Sequence, residues 1–249
     1  MKEQDQRLQE QLQAMRLLHL REHYVALAAE AAQKNWTHVD YLARLIDGET
    51  QVRHQRAVQR RIDGARFPTI KLLEDFQWSW PKKINRPQVQ NLFRLAFLPD
   101  KMNVIFLGGV GVGKSHLASA LGYAACLAGH SVRFTTAVDI INTLTAAQIN
   151  HRLKVELKKL VSPSCLVIDE VGYLPIDRTG ANLLFQVISE RYERGSIILT
   201  TNQPFKSWPK LFNDDATLTS AVLDRLLHHA ETVVIDAKSY RMKDQIETP

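Results

Sequence analysis

Cysteine is nearly absent from this chain. Its 249 residues include only Cys126 and Cys165, whose separation suits neither a metal-ligand nor a redox motif, so a disulfide framework is excluded. Both read as core residues. No apolar run approaches the ~18 residues of a membrane span. The start, Met1-Lys2-Glu3-Gln4-Asp5-Gln6, lacks the apolar stretch of a signal peptide. The expectation is a cytoplasmic protein with reduced thiols and no membrane partner. Eleven glycines and nine prolines exclude a collagen-like or low-complexity chain. At 45% hydrophobic and 23% charged residues, global disorder is excluded too. Lys and Arg total 32 against 26 for Asp and Glu, a net +6 that permits a polyanionic partner without requiring one.

Three zones follow one another, without an internal repeat. Residues 1–66 read as a small all-helical domain, suited to self-association, DNA or partner contact. Leu8, Leu12 and Met15 recur at helical spacing, and Leu17, Leu20, Tyr24, Leu27 and Ala31 continue the face. Neither Gly nor Pro interrupts residues 1–47. Thr37-His38-Val39-Asp40 has the form of a capping box, so a new helix is expected there, running into Arg53, Arg56, Arg60 and Arg61. Residues 67–100 hold Pro68, Pro81, Pro87 and Pro99 and read as a linker that wraps the next domain, with Trp78-Ser79-Trp80 extended. Residues 101–249 alternate short apolar strands with helices. Strands are expected at Val104–Leu107, Val132–Thr135, Cys165–Ile168, Ile197–Thr200 and Thr232–Ile235. The helices between them are expected at Lys114–Ala128, Ala137–Thr145 and Thr179–Arg194. That order implies an α/β fold, a parallel sheet between helices.

The strongest chemical signal is Gly108-Gly109-Val110-Gly111-Val112-Gly113-Lys114-Ser115, which fits the phosphate-cradling pattern G-x-x-x-x-G-K-[ST]. Glycines let backbone N–H groups turn inward, and the following helix adds its positive end. Lys114 would reach the β- and γ-phosphates of ATP, and Ser115 would ligate Mg²⁺. Leu166-Val167-Ile168-Asp169-Glu170 ends an apolar strand in two carboxylates. Asp169 would hold Mg²⁺ through water, and Glu170 would orient or deprotonate the attacking water. Asn202, after Thr200-Thr201, would position that water beside the γ-phosphate. Arg225 is a candidate to neutralise transition-state charge from a neighbouring subunit, and Arg241 to touch the nucleotide of its own.

Two basic clusters could contact DNA phosphates without sequence choice. One is Arg53, Arg56, Arg60, Arg61 and Arg66. The other is His151, Arg152, Lys154, Lys158 and Lys159. Solvated helix faces have the same appearance. His19 and His23 stand i, i+4, but no third metal ligand suggests itself. Trp36, Trp78 and Trp80 read as packing anchors.

Several motifs occur here in a telling order. They are Gly113-Lys114-Ser115-His116, Ile168-Asp169-Glu170-Val171-Gly172-Tyr173-Leu174-Pro175, Thr200-Thr201-Asn202 with Trp208 behind, Leu223-Asp224-Arg225-Leu226-Leu227-His228, and Ser239-Tyr240-Arg241. Together they resemble the IstB transposition helpers, the ATP-binding proteins of insertion sequences, within the wider DnaC/DnaA-like AAA+ group. Ala65-Arg66-Phe67-Pro68 and Leu73-Glu74-Asp75-Phe76 resemble that family's linker. The resemblance implies an ATP-dependent, DNA-binding homo-oligomer that prepares double-stranded target DNA and recruits a transposase. It implies that His116 belongs to the nucleotide loop, Arg225 is a trans-acting finger and Arg241 a second sensor. It also sets the second basic cluster on an inserted helical element facing a ring interior. Little sequence remains after the core, so no full C-terminal helical lid is expected. Alternatives are a DnaC-like replicative helicase loader, a small-molecule P-loop kinase, and a protein for which ATP is mainly an assembly ligand.

Overall fold

The computed structural model describes residues 2–81 and 83–240. The chain divides into two compact units, Met1–Arg60 and Arg61–Pro249. Among the described residues, no helix is long and apolar enough to cross a membrane.

The first unit is built from α1 (Lys2–Ala14), α2 (Leu18–Lys34) and α3, which runs over His38–Ala65 and enters the second unit with its last turn. Its core is small: Leu12, Leu20 and Leu45 are buried, flanked by Leu17, Tyr24, Leu27 and Tyr41. The apolar face read as continuous is broken after Ala14. Arg16 takes a left-handed φ of +56°, and the Leu17 N–H closes back on Leu12 O at 2.9 Å, a C-terminal closure usually made by glycine. Tertiary groups hold the break. The Glu49 carboxylate is buried and accepts the His19 N–H at 2.9 Å and the Leu20 N–H at 3.4 Å, both at the open start of α2. Burial pushes the Glu49 carboxyl up, but Arg53 and these N–H groups outweigh it and hold it below the usual range. The capping box forms as a reciprocal pair: Asp40 N–H donates to Thr37 Oγ1 at 3.1 Å, and Thr37 N–H to Asp40 Oδ2 at 3.2 Å.

The second unit continues with α4 (Arg86–Leu92), β1 (Asn103–Gly108), α5 (Lys114–Leu127), β2 (Val132–Thr136), α6 (Ala137–Ile149), α7 (Leu153–Val161), β3 (Cys165–Val171), α8 (Arg178–Arg191), β4 (Ser196–Thr201), α9 (Trp208–Leu211), α10 (Ala216–Leu227) and β5 (Ala230–Ile235). The five strands run parallel in the order β2-β3-β4-β1-β5. Both faces are covered, so successive strand residues alternate between two cores. Ile105, Leu166, Ile168, Ile197 and Leu199 face α6 to α10. Val104, Phe106, Cys165, Val167 and Ile198 face α5 and the segment before β1. Burial raises the Cys126 thiol to about 11 and the Cys165 thiol to about 12, which keeps both protonated and unreactive.

The segment read as a linker is part of this second core. Phe76, Val89, Leu92, Phe97 and Leu98 are all buried in it. It also contains α4, whose first turn is capped by Asn85 Oδ1 accepting the Gln88 N–H at 3.1 Å. Lys83 bridges the edge strand antiparallel at Asp236. Trp78-Ser79-Trp80 is a turn instead of an extended piece, because Phe76 folds back edge-on to Trp78 at 4.9 Å.

Arg191 is buried and has no carboxylate partner among the described residues. Nη1 donates to Leu160 O, Val161 O and Pro163 O at 2.9–3.0 Å. Nη2 donates to Ser164 O at 3.3 Å and Ser196 O at 2.7 Å. Together these bonds tie the end of α7 to the entries of β3 and β4. Desolvation lowers the guanidinium to about 10, so it stays charged at neutral pH. Gly195 makes the approach possible, since a Cβ there would sit 2.6 Å from Nη2. Arg191→Met should cost about 3 kcal/mol or more, because several buried carbonyls lose their donor at once. Arg191→Lys should recover little of it, having no planar fork. Denaturant unfolding of the full chain checks both values.

Candidate functional site

The glycine loop leaves the carboxyl end of β1 and opens α5. Gly111 and Gly113 take φ of +74° and +98°, angles that L side chains rarely adopt. A Cβ on Gly113 would also lie 2.6 Å from the Phe76 ring. Val112 is buried and anchors the loop from beneath, whereas Val110 is exposed. Lys114 begins α5, is only 4% exposed, and donates to Gly109 O.

The two carboxylates after β3 take different environments. Asp169 is 7% exposed; Ser115 Oγ donates to its Oδ1 at 2.9 Å, and Thr200 Oγ1 donates to the same atom. Glu170 is exposed with a left-handed φ of +62°. The β3–β4 register shifts between Ile168 and Val171, a bulge that re-aims a side chain. Glu170 N–H donates to Thr200 Oγ1 at 3.0 Å. Thr200 therefore braces both acidic residues, and sequence reading passed it over in favour of Asn202. Its place follows from the sheet: Thr200 pairs in register with Phe106 of β1, one residue short of the strand's end. Asn202 lies beyond the strand beside Gly172, where a Cβ would come 3.2 Å from its Oδ1. That buried Oδ1 has no hydrogen-bond partner among the described residues, and Asn202 does not line the phosphate cavity.

The cavity holds about 730 Å³. Its floor is Gly111 to His116 with Asp169 and Glu170. One wall is the segment 68–81, held on α5 by Ser119 Oγ donating to Thr69 O at 2.9 Å and by His116 Nε2 at 2.8 Å from Leu72 O. Tyr240 closes another side. Its N–H donates to Gly111 O at 2.9 Å, and its ring meets Trp80 edge-on at 5.4 Å. Ser239 packs so closely that a Cβ on Gly111 would fall 2.2 Å from its Oγ. Arg241 lies outside the described residues. A loop with two left-handed glycines, a buried lysine and the start of α5 make this a polyphosphate cradle. Ser115 and Asp169 offer hard oxygen donors side by side and fit a hydrated Mg²⁺.

Arg225 sits elsewhere. It lies on α10, with Nη1 donating to Ala221 O at 2.9 Å and its guanidinium 4.9 Å from the Phe185 ring. The next residue, Leu226, accepts from Asn103 at the start of β1, whereas the glycine loop leaves the other end of that strand. A six-residue strand at ~3.3 Å per residue separates them by roughly 17–20 Å.

The basic residues are largely at the surface. Arg53, Arg56 and Arg60 are exposed on α3, and Arg61 is half-buried. Arg53 is tied to Glu49 at 2.9 Å. On and before α7, Arg152, Lys154, Lys158 and Lys159 are exposed. Lys159 pairs with Glu156 at 2.8 Å. That hydrogen bond, with Arg152 and Arg133 nearby, holds the Glu156 carboxyl below its usual range. Arg133, half-buried on edge strand β2, thus joins this patch with Arg66 near it. Sequence reading missed Arg133 because a lone arginine in a strand carries no pattern.

Thr200→Val should keep nucleotide affinity within a few-fold, since it leaves Lys114 and the loop intact. Turnover should fall by about 10²-fold, because misplaced acidic groups lose that much in positioning. Lys114→Ala should abolish nucleotide binding. Equilibrium binding of a labelled nucleotide beside steady-state phosphate release separates the two effects.

Residues 10–248 match the family described as IstB-like ATP binding protein. The chain is 42% identical to the insertion sequence IS21 putative ATP-binding protein of Pseudomonas aeruginosa, over 94% of this chain and 88% of that protein. It is 38% identical to the insertion sequence IS232 putative ATP-binding protein of Bacillus thuringiensis subsp. berliner, over 98% and 97%. Among solved structures, the DnaC helicase loader superposes with a TM-score of 0.54 at 24% identity, over 66% of this chain and 96% of that one. The replication initiator DnaA bound to AMPPCP and single-stranded DNA gives 0.55 at 20% identity, over 71% and 54%. These likenesses establish an AAA+ fold around the phosphate loop. With that fold, that cradle and those relatives, the chain belongs to the IstB-like ATP-binding proteins of insertion sequences and is an ATPase.

Proposed function

We propose that this ATPase assists DNA transposition: with ATP it assembles on double-stranded target DNA and recruits or stimulates a transposase. The position of Arg225 carries the reading. The arginine stands a strand length from its own phosphate cradle, so it serves chemistry only in the cradle of a neighbouring copy. An assembly that completes each site in trans follows. Bound Mg²⁺ would be held by Ser115 and Asp169 and would screen phosphate charge. Lys114 binds the phosphates, and Glu170 orients the attacking water and accepts its proton. Arg241 is assigned to the nucleotide of its own subunit, whereas Asn202, off the cavity lining, is left without a γ-phosphate role. Hydrolysis loosens the assembly.

The DNA-facing surface is assigned to α7 and β2, where Arg133, Arg152, Lys154 and Lys158 outnumber a single acidic residue, Glu156. Such a patch binds phosphates and ignores base sequence. The first unit contributes self-association or partner contact, and its arginines on α3 are a second phosphate-binding face. The curated relatives are insertion-sequence proteins, which supports a transposase as partner over a replicative helicase.

Light scattering with ATP or ADP, with and without duplex DNA, tests the assembly. Large species should form with ATP, grow on DNA and disperse in ADP. Glu170→Gln should bind ATP and remain assembled, and Arg225→Ala should slow turnover within preformed assemblies. A constant monomer, or unchanged turnover in Arg225→Ala, would overturn the reading. For DNA, a Lys154→Ala/Lys158→Ala double variant should bind more weakly on every sequence. The slope of log affinity against log salt should fall by about 1 for each phosphate that is no longer neutralised. Capture of a replicative helicase, and not of the cognate transposase, would replace the proposed partner.

A further inference from the structure

We propose that Glu193, His228 and His229 form a binding site for a borderline divalent transition-metal ion, Zn²⁺ in the first instance. The three residues come from two turns. Glu193 lies between α8 and β4, and the two histidines lie between α10 and β5. One ligand atom from each lies within 4.8 Å of the others, and all three side chains are exposed. His229 Nε2 and Glu193 Oε1 are 3.8 Å apart. Two donors each about 2.1 Å from one tetrahedral Zn²⁺ stand ~3.4 Å apart, so this pair must close by about 0.4 Å to share the ion. The third donor needs only a small side-chain rotation. Tyr192 supplies the outer contact that metal-bound histidines usually make. Its hydroxyl lies 2.7 Å from His228 Nδ1; accepting a hydrogen bond from Nδ1–H, it would leave the Nε2 lone pair for an ion.

The grouping suits a metal better than an ion-pair cluster. The His228 and His229 rings stand 4.1 Å apart. Two imidazolium charges at that spacing repel, and one carboxylate balances only one of them. As neutral donors, both serve a shared cation without conflict. Two nitrogens and one oxygen favour Zn²⁺ over the hard cation of the phosphate cradle. Three protein ligands leave a fourth position for water. The ion would join the α8–β4 and α10–β5 turns and brace the end of the helix that carries Arg225. Arg225, Tyr192, Glu193 and His229 already line one small recess.

The test uses tag-free full-length protein, stripped with chelator, returned to chelator-free buffer with Mg²⁺, and titrated with ZnCl₂. Calorimetry gives affinity, and metal analysis after desalting gives stoichiometry. One equivalent of Zn²⁺ is expected. It should be lost in His228→Ala/His229→Ala, and affinity should fall by about tenfold in Tyr192→Phe. Glu193→Gln should weaken binding further, and His19→Ala/His23→Ala should retain the full equivalent. No stoichiometric uptake by the wild type would overturn the proposal. So would uptake that survives His228→Ala/His229→Ala, or uptake that disappears in His19→Ala/His23→Ala.

Discussion

A single oxygen, Asp169 Oδ1, receives the hydroxyls of Ser115 and Thr200, and the site is organised around that convergence. It exists because β4 lies between β1 and β3. The glycine loop ends β1, the acidic pair ends β3, and the strand between them contributes the hydroxyl that spans the gap. Without β4 in that place, Asp169 would not stand beside Ser115. The same hydroxyl accepts the Glu170 N–H, so the bulge that turns Glu170 outward is tied to the atom that holds Asp169 inward. Two carboxylates adjacent in the chain thereby acquire different environments, one buried and bonded, one exposed toward the cavity.

The sheet supports this by being covered on both sides. Each strand supplies alternate residues to two separate cores, and the P-loop is fixed between them. On the α5 side, the covering layer includes residues 67–100. That segment is therefore both the outer half of a core and a wall of the nucleotide cavity. Packing and ligand binding share the same chain here, with Phe76 against Gly113 as their meeting point. On the other side, Arg191 satisfies the backbone carbonyls at the joins of α7, β3 and β4. A buried charge is tolerated there because carbonyl dipoles replace its lost water.

Charge is distributed according to exposure. The buried arginine is structural, and the lysine of the cradle is buried where phosphates are to be held. Most basic residues of α3 and α7 stand in solvent and remain open to a polyanion, whereas Arg53 is engaged by the buried Glu49. Arg225 belongs to neither class. It packs on Phe185 at the end of the sheet remote from its own cradle.

Much was determined by the sequence alone. The glycine spacing before Lys114 and Ser115 specifies a phosphate cradle, because backbone N–H groups can converge only where side chains are absent. The strand-and-helix alternation, the acidic pair after Cys165–Ile168 and the Thr37–Asp40 cap are local patterns with local causes, and they were legible. Strand order was not, since pairing partners are set by how helices pack on both faces and not by any one segment. Thr200 acquired its role only through that order, as did Arg133 in the patch around Glu156. The break at Arg16 was invisible for a similar reason: no breaker residue marks it, and Glu49, distant in sequence on α3, supplies the acceptor for the open helix start. Arg225 could be singled out in the sequence, but its distance from its own site belongs to the fold. Local chemistry wrote the motifs, and long-range packing decided which of them meet.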